Sequence, residues 1–300
     1  MTPERPKVVY VMGAGRSGST ILGITLGNCA NIFYAGELNL WLARRGKSPL
    51  PGAERARFWD GVRAHVSTDL FGRGARSLEK SLDLLRVDSW RAQRRLRGPY
   101  RRAAEDLYRA IADEADATHV VDSSHFPRRA RELQALDGID LRLLFLVRKP
   151  QHVVASYSGD DVVFPRFNAL NTNAYLWFTY VLSLLVFLRH PRGRRLLVRY
   201  EAFLANPAGV LQDILDCIDS PAVIPDLTAL STGMAFQGNR VLRSDVVALK
   251  GQPPKPLRGS RLTAFVHLPW TAIFRRLNAS QAPKTPASRL NVMDDAKART

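Results

Sequence analysis

Short apolar runs alternate along the chain with longer stretches in which apolar residues recur every three or four positions. The first run, KVVYVM at residues 7–12, ends in a glycine-rich turn, and a helix is predicted over 18–27. NIFYAGELNLW (31–41) follows as a short extended piece, with Glu37 in a turn or at a helix start. Residues 42–115 are polar, arginine-rich and weakly periodic, and are expected to form helices and loops inserted over a site. Three further strands are predicted, THVVDSS (118–124), LRLLFLV (141–147) and RRLLVRY (194–200). Helices are predicted over FPRRARELQAL (126–136), from Pro150, over 169–189 and over PAGVLQDILDCI (207–218).

Strand–helix alternation with continuously apolar strands predicts an α/β fold of three layers, a central mainly parallel sheet flanked by helices. Ligands of such sheets bind beyond the carboxyl ends of the strands. The residues of chemical interest cluster there, just after positions 12, 122, 147 and 199. One domain is expected over 1–278, with the insertion at about 42–115 and a flexible tail over 279–300.

Composition narrows this picture only a little. The formal net charge is +17, which favours anionic ligands of any size. Most of the excess is scattered arginine; the densest cluster, RAQRRLRGPYRR (91–102), suits a solvated helix face or loop. Cys29 and Cys217 have no metal-type spacing and are expected to be reduced core thiols, which suits a cytoplasmic setting. No signal-peptide run is present at the start. The longest apolar run, residues 174–188, has 15 residues against the ~20 that span a bilayer. It predicts a buried helix, with peripheral membrane contact as the alternative.

The turn Gly13–Thr20 (GAGRSGST) fits the spacing of a phosphate loop, G-x-x-x-x-G-K-[ST], with Ser19 where the lysine belongs. Glycines let backbone N–H groups face an anion at the start of a helix. Gly15, Ser17, Gly18, Ser19 and Thr20 are thus candidate anion ligands, and Arg16 supplies a charged fork of donors. Without the lysine, a clamp for β- and γ-phosphates with its magnesium is not expected. Six histidines form no metal motif.

The segment GAGRSGSTIL resembles the 5′-phosphosulfate loop of sulfotransferases that use 3′-phosphoadenosine 5′-phosphosulfate (PAPS). It is closest to the arginine form of the tyrosylprotein, carbohydrate and bacterial enzymes. The resemblance implies a P-loop-type fold, PAPS as cosubstrate, no metal, and a hydroxyl acceptor: a carbohydrate, glycolipid or natural product. It implies no nucleic-acid partner. FLVRKPQHVVASYS (145–158) is similar to the segment that binds the 3′-phosphate, which assigns Arg148 and Ser156; Lys149 stands where the family often has aspartate. Glu37, 21 residues after Arg16, matches the catalytic base. VVDSSHF (120–126) resembles a bacterial DSSK segment with His125 at the lysine position, leaving His125 either a charge stabiliser, a hydrogen-bond donor or the base. VRYEAFLANP (198–207) resembles the family's RYEDL…P segment, which implies that Tyr200 faces the nucleotide. FQGNRVLRSDVVALK (236–250) resembles the late closing loop, with Arg243, Ser244 and Lys250 as candidate contacts. A small-molecule or nucleotide kinase with an atypical loop is the alternative, with Asp122 as its metal-binding acid.

Overall fold

The computed structural model describes residues 5–71, 78–79, 81, 90–157, 168–249 and 261–281. Lys250 and most of the expected tail lie outside the described residues.

Five parallel strands form the central sheet in the order β2-β3-β1-β4-β5. They are β1 (Lys7–Gly13), β2 (Ile32–Gly36), β3 (His119–His125), β4 (Asp140–Val147) and β5 (Arg195–Arg199). Four correspond to the predicted runs. The fifth, β2, is the stretch expected only to be extended, and it forms the sheet edge beside β3. Its FYAG sequence ends in small residues, which weakens the strand pattern.

Alternate residues of β1 explain the layers. Val8, Tyr10 and Met12 enter a core on one face of the sheet, together with Leu143 and Phe145 of β4. Val9 and Val11 enter a second core on the other face with Val121, Leu144 and Leu146. A strand buried on both faces needs apolar residues at every position. Helices α1 (Ser19–Gly27), α7 (Tyr200–Ala205) and α8 (Pro207–Cys217) cover the second face. On the first face pack α2 (Ala53–Ala64), α3 (Trp90–Glu114), α4 (Pro127–Leu133), α5 (Pro150–Tyr157), α6 (Ala169–Arg189) and α10 (Leu268–Gln281); α9 (Arg261–Val266) packs against α5.

The 42–115 stretch is not merely laid over a site. Trp59, Val62, Leu107, Tyr108 and Ile111 are buried in the first core. The basic cluster 91–102 forms the start of α3, which runs 25 residues through Pro99. Arg91, Arg94, Arg95 and Arg102 are exposed, as a solvated helix face requires, while Arg97 and Arg101 pair with the buried carboxylate of Glu132 at 3.1 and 3.0 Å.

Helix α6 coincides with its predicted span. At 21 residues it is long and apolar enough to cross a membrane by length and composition, so the 15-residue argument does not hold. Its place in the fold comes instead from packing: Leu176, Tyr180 and Phe187 are buried in the first core. Both thiols are free, Cys29 buried and Cys217 half-buried. Burial pushes each up to about 11, which keeps them protonated.

Candidate active site

The chain leaves β1 towards the β2 edge and leaves β4 towards the β5 edge. The connections diverge at the β1–β4 boundary, so a crevice opens beyond the carboxyl ends of these two strands. The turn after β1 carries Gly13–Thr20, and the turn after β4 carries Arg148.

Three residues of the first turn have positive backbone φ, Gly13 (150°), Arg16 (66°) and Gly18 (97°). Gly18 caps α1, and a Cβ on it would lie 2.2 Å from the Tyr200 ring. Only glycine accommodates both the angle and the ring. Arg16 takes that conformation without being glycine, a strain that concentrates at functional sites. Ser17, Ser19 and Thr20 are buried in the cradle. Among the described residues the Ser17 hydroxyl has no hydrogen-bond partner, an orphaned group that suits an anion.

The two sets of anion ligands adjoin. Arg16 Nε donates to Ser156 Oγ at 3.1 Å, and Arg148 Nη1 donates to the Arg16 carbonyl at 2.9 Å. Arg148 also lies over the Tyr200 ring, 4.9 Å from its centroid. Its Nε is buried and without a partner among the described residues. Burial lowers the guanidinium pKa from its ordinary value, a cost that a bound phosphate would offset. Glu201 holds the turn in place by accepting the Lys149 backbone N–H at 2.9 Å. Substituting lysine for the family's aspartate therefore leaves a backbone donor and its acceptor intact.

Glu37 directly follows β2. Its backbone N–H donates to the Gln237 carbonyl at 2.7 Å, and Phe236 N–H donates to Ala35 at 2.9 Å. The late segment is thereby tied to the end of β2. Burial, then the charge of Asp122, push the Glu37 carboxyl up to about 7. A carboxyl poised there accepts a proton at neutral pH far better than an ordinary glutamate.

Asp122 is committed elsewhere. Tyr108 donates to its Oδ2 at 2.6 Å and Arg129 Nε at 3.1 Å, while the Ser124 N–H donates to Oδ1 at 2.8 Å and its hydroxyl also bonds Oδ1. Both oxygens are occupied by protein donors, which removes Asp122 as the metal ligand a kinase reading requires. Ser124 Oγ also accepts the Asn39 N–H at 2.9 Å, fixing the segment just after Glu37.

His125 ends β3 with φ 56° and lies beside Gly15; its Nε2 is 3.7 Å from where a Gly15 Cβ would be. Burial pulls its pKa down to about 4. Burial thus favours the neutral imidazole, which suits a hydrogen-bond donor or the base better than a cationic stabiliser. Arg243 and Ser244 are exposed, and their side chains bond no cradle residue among those described. The late loop reaches the cradle through Gly238 instead, where a Cβ would be 3.5 Å from Thr20 Cγ2. Trp177 packs against Trp270, ring centroids 5.3 Å apart, as a core residue does.

Two residues of the site were not singled out from sequence, Tyr157 and Tyr175. Gly15 N–H donates to Tyr175 Oη at 2.9 Å, and a Cβ on Gly15 would lie 2.5 Å from Tyr157 Oη. Tyr157 directly follows Ser156, which was a usable signal; Tyr175 lies in an apolar helix that read as core.

A family model described as "Sulfotransferase family" matches residues 6–224, well over half of the sequence. The chain belongs to the sulfotransferase family. The sulfotransferase domain from the curacin biosynthetic pathway is similar in fold, with a TM-score of 0.54 and 16% identity, covering 89% of this chain and 99% of that one. So is the sulfotransferase domain from the Synechococcus PCC 7002 olefin synthase, with a TM-score of 0.53 and 18% identity, covering 90% and 97%. No curated protein matches the sequence. This sulfotransferase has the α/β three-layer fold of those neighbours, and sulfuryl transfer from a sulfate donor is the chemistry of its family.

Proposed function

We propose that this sulfotransferase takes its sulfuryl group from PAPS and transfers it to a hydroxyl of a small-molecule, carbohydrate or glycolipid acceptor. The observation that carries this reading is the single cluster in which Arg148 bonds the backbone of Arg16 while Arg16 bonds Ser156. An anion-binding loop joined directly to a second guanidinium suits a nucleotide with phosphates on both the 5′ and 3′ sides of one ribose. The unpartnered Ser17 hydroxyl and Arg148 Nε supply further donors for those phosphates.

When bound, PAPS supplies an activated sulfuryl group whose leaving group is adenosine 3′,5′-bisphosphate. Glu37 accepts the acceptor's proton. Arg16 and the backbone N–H groups at the start of α1 stabilise negative charge on the departing phosphate. Neutral His125 offers a hydrogen bond and no charge. Fixed cationic and dipolar groups do the electrostatic work, so turnover is expected without divalent metal. The similarity in fold to domains from the curacin pathway and an olefin synthase is in keeping with a natural-product acceptor.

Calorimetric titration with adenosine 3′,5′-bisphosphate and with ATP tests the donor. Tight binding of the bisphosphate alone is expected. Preference for ATP with magnesium would overturn the reading.

A further inference from the structure

Three side chains from three different elements converge on Gly15. A Cβ built there would lie 2.5 Å from Tyr157 Oη at the end of α5, 3.5 Å from Tyr175 Oη in α6 and 3.7 Å from His125 Nε2 at the end of β3. Gly15 comes before the α1 N-terminus, so this point lies beyond the group that the helix N–H donors hold. Arg16 and Glu37 are both close enough to Tyr157 to act on its ionisation, in opposite directions. The phenol therefore lies against the loop at Gly15, within electrostatic reach of both the loop arginine and Glu37.

We infer that Tyr157 is a catalytic residue whose hydroxyl donates a hydrogen bond to an oxygen of the sulfuryl group during transfer. This rests on the PAPS reading above. In the step, the acceptor oxygen bonds to sulfur while the bond from sulfur to the bridging phosphate oxygen breaks. The acceptor's proton passes to Glu37, and the leaving bisphosphate keeps the bonding electron pair. Tyr157 retains its proton throughout.

The place for such a donor is beside His125. The resemblance puts a lysine at this position, and the imidazole of His125 is shorter and carries no permanent charge, which leaves room for a neighbouring hydroxyl to donate beside it. Tyr157 is suited to that role. Burial is the main cause that raises its phenol pKa well above the ordinary value, so the hydroxyl stays protonated and able to donate. Its ring meets the Tyr175 ring edge-on at 6.0 Å, and the two hydroxyls are hydrogen-bonded. Tyr175 is itself anchored by the Gly15 N–H at 2.9 Å. The bond between the hydroxyls raises the Tyr157 pKa and lowers that of Tyr175, the pattern of Tyr157 as donor, so on binding its one proton turns from Tyr175 to the sulfuryl oxygen while the ring contact keeps the hydroxyl against the loop.

The test is Tyr157→Phe, which keeps the ring and removes the donor. Wild-type protein must first bind the bisphosphate; if it does not, the donor assignment itself has failed. With that binding established, Y157F is expected to weaken affinity for PAPS about tenfold while leaving affinity for the bisphosphate within about twofold, since only PAPS carries the sulfuryl oxygens. This ratio needs no acceptor. With an acceptor, kcat should fall about 10–100-fold. Tyr157→Gln keeps an N–H donor, and its ratio should lie nearer the wild type's than that of Y157F. An unchanged ratio and kcat in Y157F overturns the inference. So does an equal loss of both ligands or a lowered melting temperature, which would make Tyr157 part of the scaffold, and so does the reverse order of the two variants.

Discussion

Glu37→Gln separates what the carboxyl does for the reaction from what it costs the fold. Burial moves its pKa from 4.5 to about 7. The sign follows from proton binding: between those values the unfolded chain has lost the proton while the folded protein keeps it. Stability therefore falls as pH rises from 4.5 through about 7 and is constant above that. At about 1.4 kcal/mol per unit the penalty reaches roughly 3 kcal/mol at pH 8, and less than about 1 kcal/mol at pH 5. Glutamine has nearly the same shape and carries no charge, so it escapes this penalty.

Urea denaturation at pH 5 and pH 8 provides the assay. E37Q should gain about 2 kcal/mol over wild type between the two conditions, with the same dependence on urea. Sulfuryl transfer by the same variant should fall about 10²–10⁴-fold, the usual loss for a general base. In wild type, kcat/KM should rise with pH about tenfold per unit below 7 and level off above it. A variant no more stable at pH 8 than at pH 5, relative to wild type, would show that the carboxyl is not desolvated. Wild-type activity flat from pH 5.5 to 8 would refute its role as base.

Two further perturbations probe the frame of the site. Gly18→Ala places a Cβ 2.2 Å from the Tyr200 ring at φ 97°, so it should cost about 1–3 kcal/mol in urea denaturation and shift Tyr200 from beneath Arg148; a fully stable variant with wild-type bisphosphate affinity would contradict the packing. Arg129→Met removes the buried partner of Glu79 at 2.5 Å and Asp122 at 3.1 Å. Two carboxylates are then left without their cation, and a loss of about 3–5 kcal/mol is expected; a loss under about 1 kcal/mol would show that the network does not carry the fold.

Most of the sheet was legible because strands buried on both faces are continuously apolar, as VVYVM and LLFLV are. Strand β2 was harder: its small residues and final glycine resemble a turn, and only pairing with β3 makes it a strand. Helix α3 was obscured by Gly98–Pro99 and by its arginines, although Tyr100, Leu107, Tyr108 and Ile111 fall on one buried face. In the candidate site, Arg16, Arg148 and Ser156 came from the resemblance of two segments to the family's loops, and the structure brings the three residues together. What pattern alone did not show was direction. Tyr175 sits in a helix whose other residues are core, and nothing local reveals that its hydroxyl meets Gly15. The availability of Asp122 depends on Tyr108 and Arg129, and its environment is set by α3 and α4 together. Arg243 and Ser244 match a motif, yet the segment turns so that the neighbouring Leu242 is buried and they face outward.

The central claim is that one cradle, built from the turns after β1 and β4, holds a ribonucleotide phosphorylated on both sides. Calorimetric affinities for adenosine 3′,5′-bisphosphate and for 5′-AMP, measured on wild type and on Arg148→Ala, test it directly. Wild type should prefer the bisphosphate by at least about tenfold, and Arg148→Ala should abolish most of that preference while changing 5′-AMP affinity little, as loss of one charge-assisted contact implies. Equal affinity of wild type for the two nucleotides, or a preference that survives in Arg148→Ala, would contradict it.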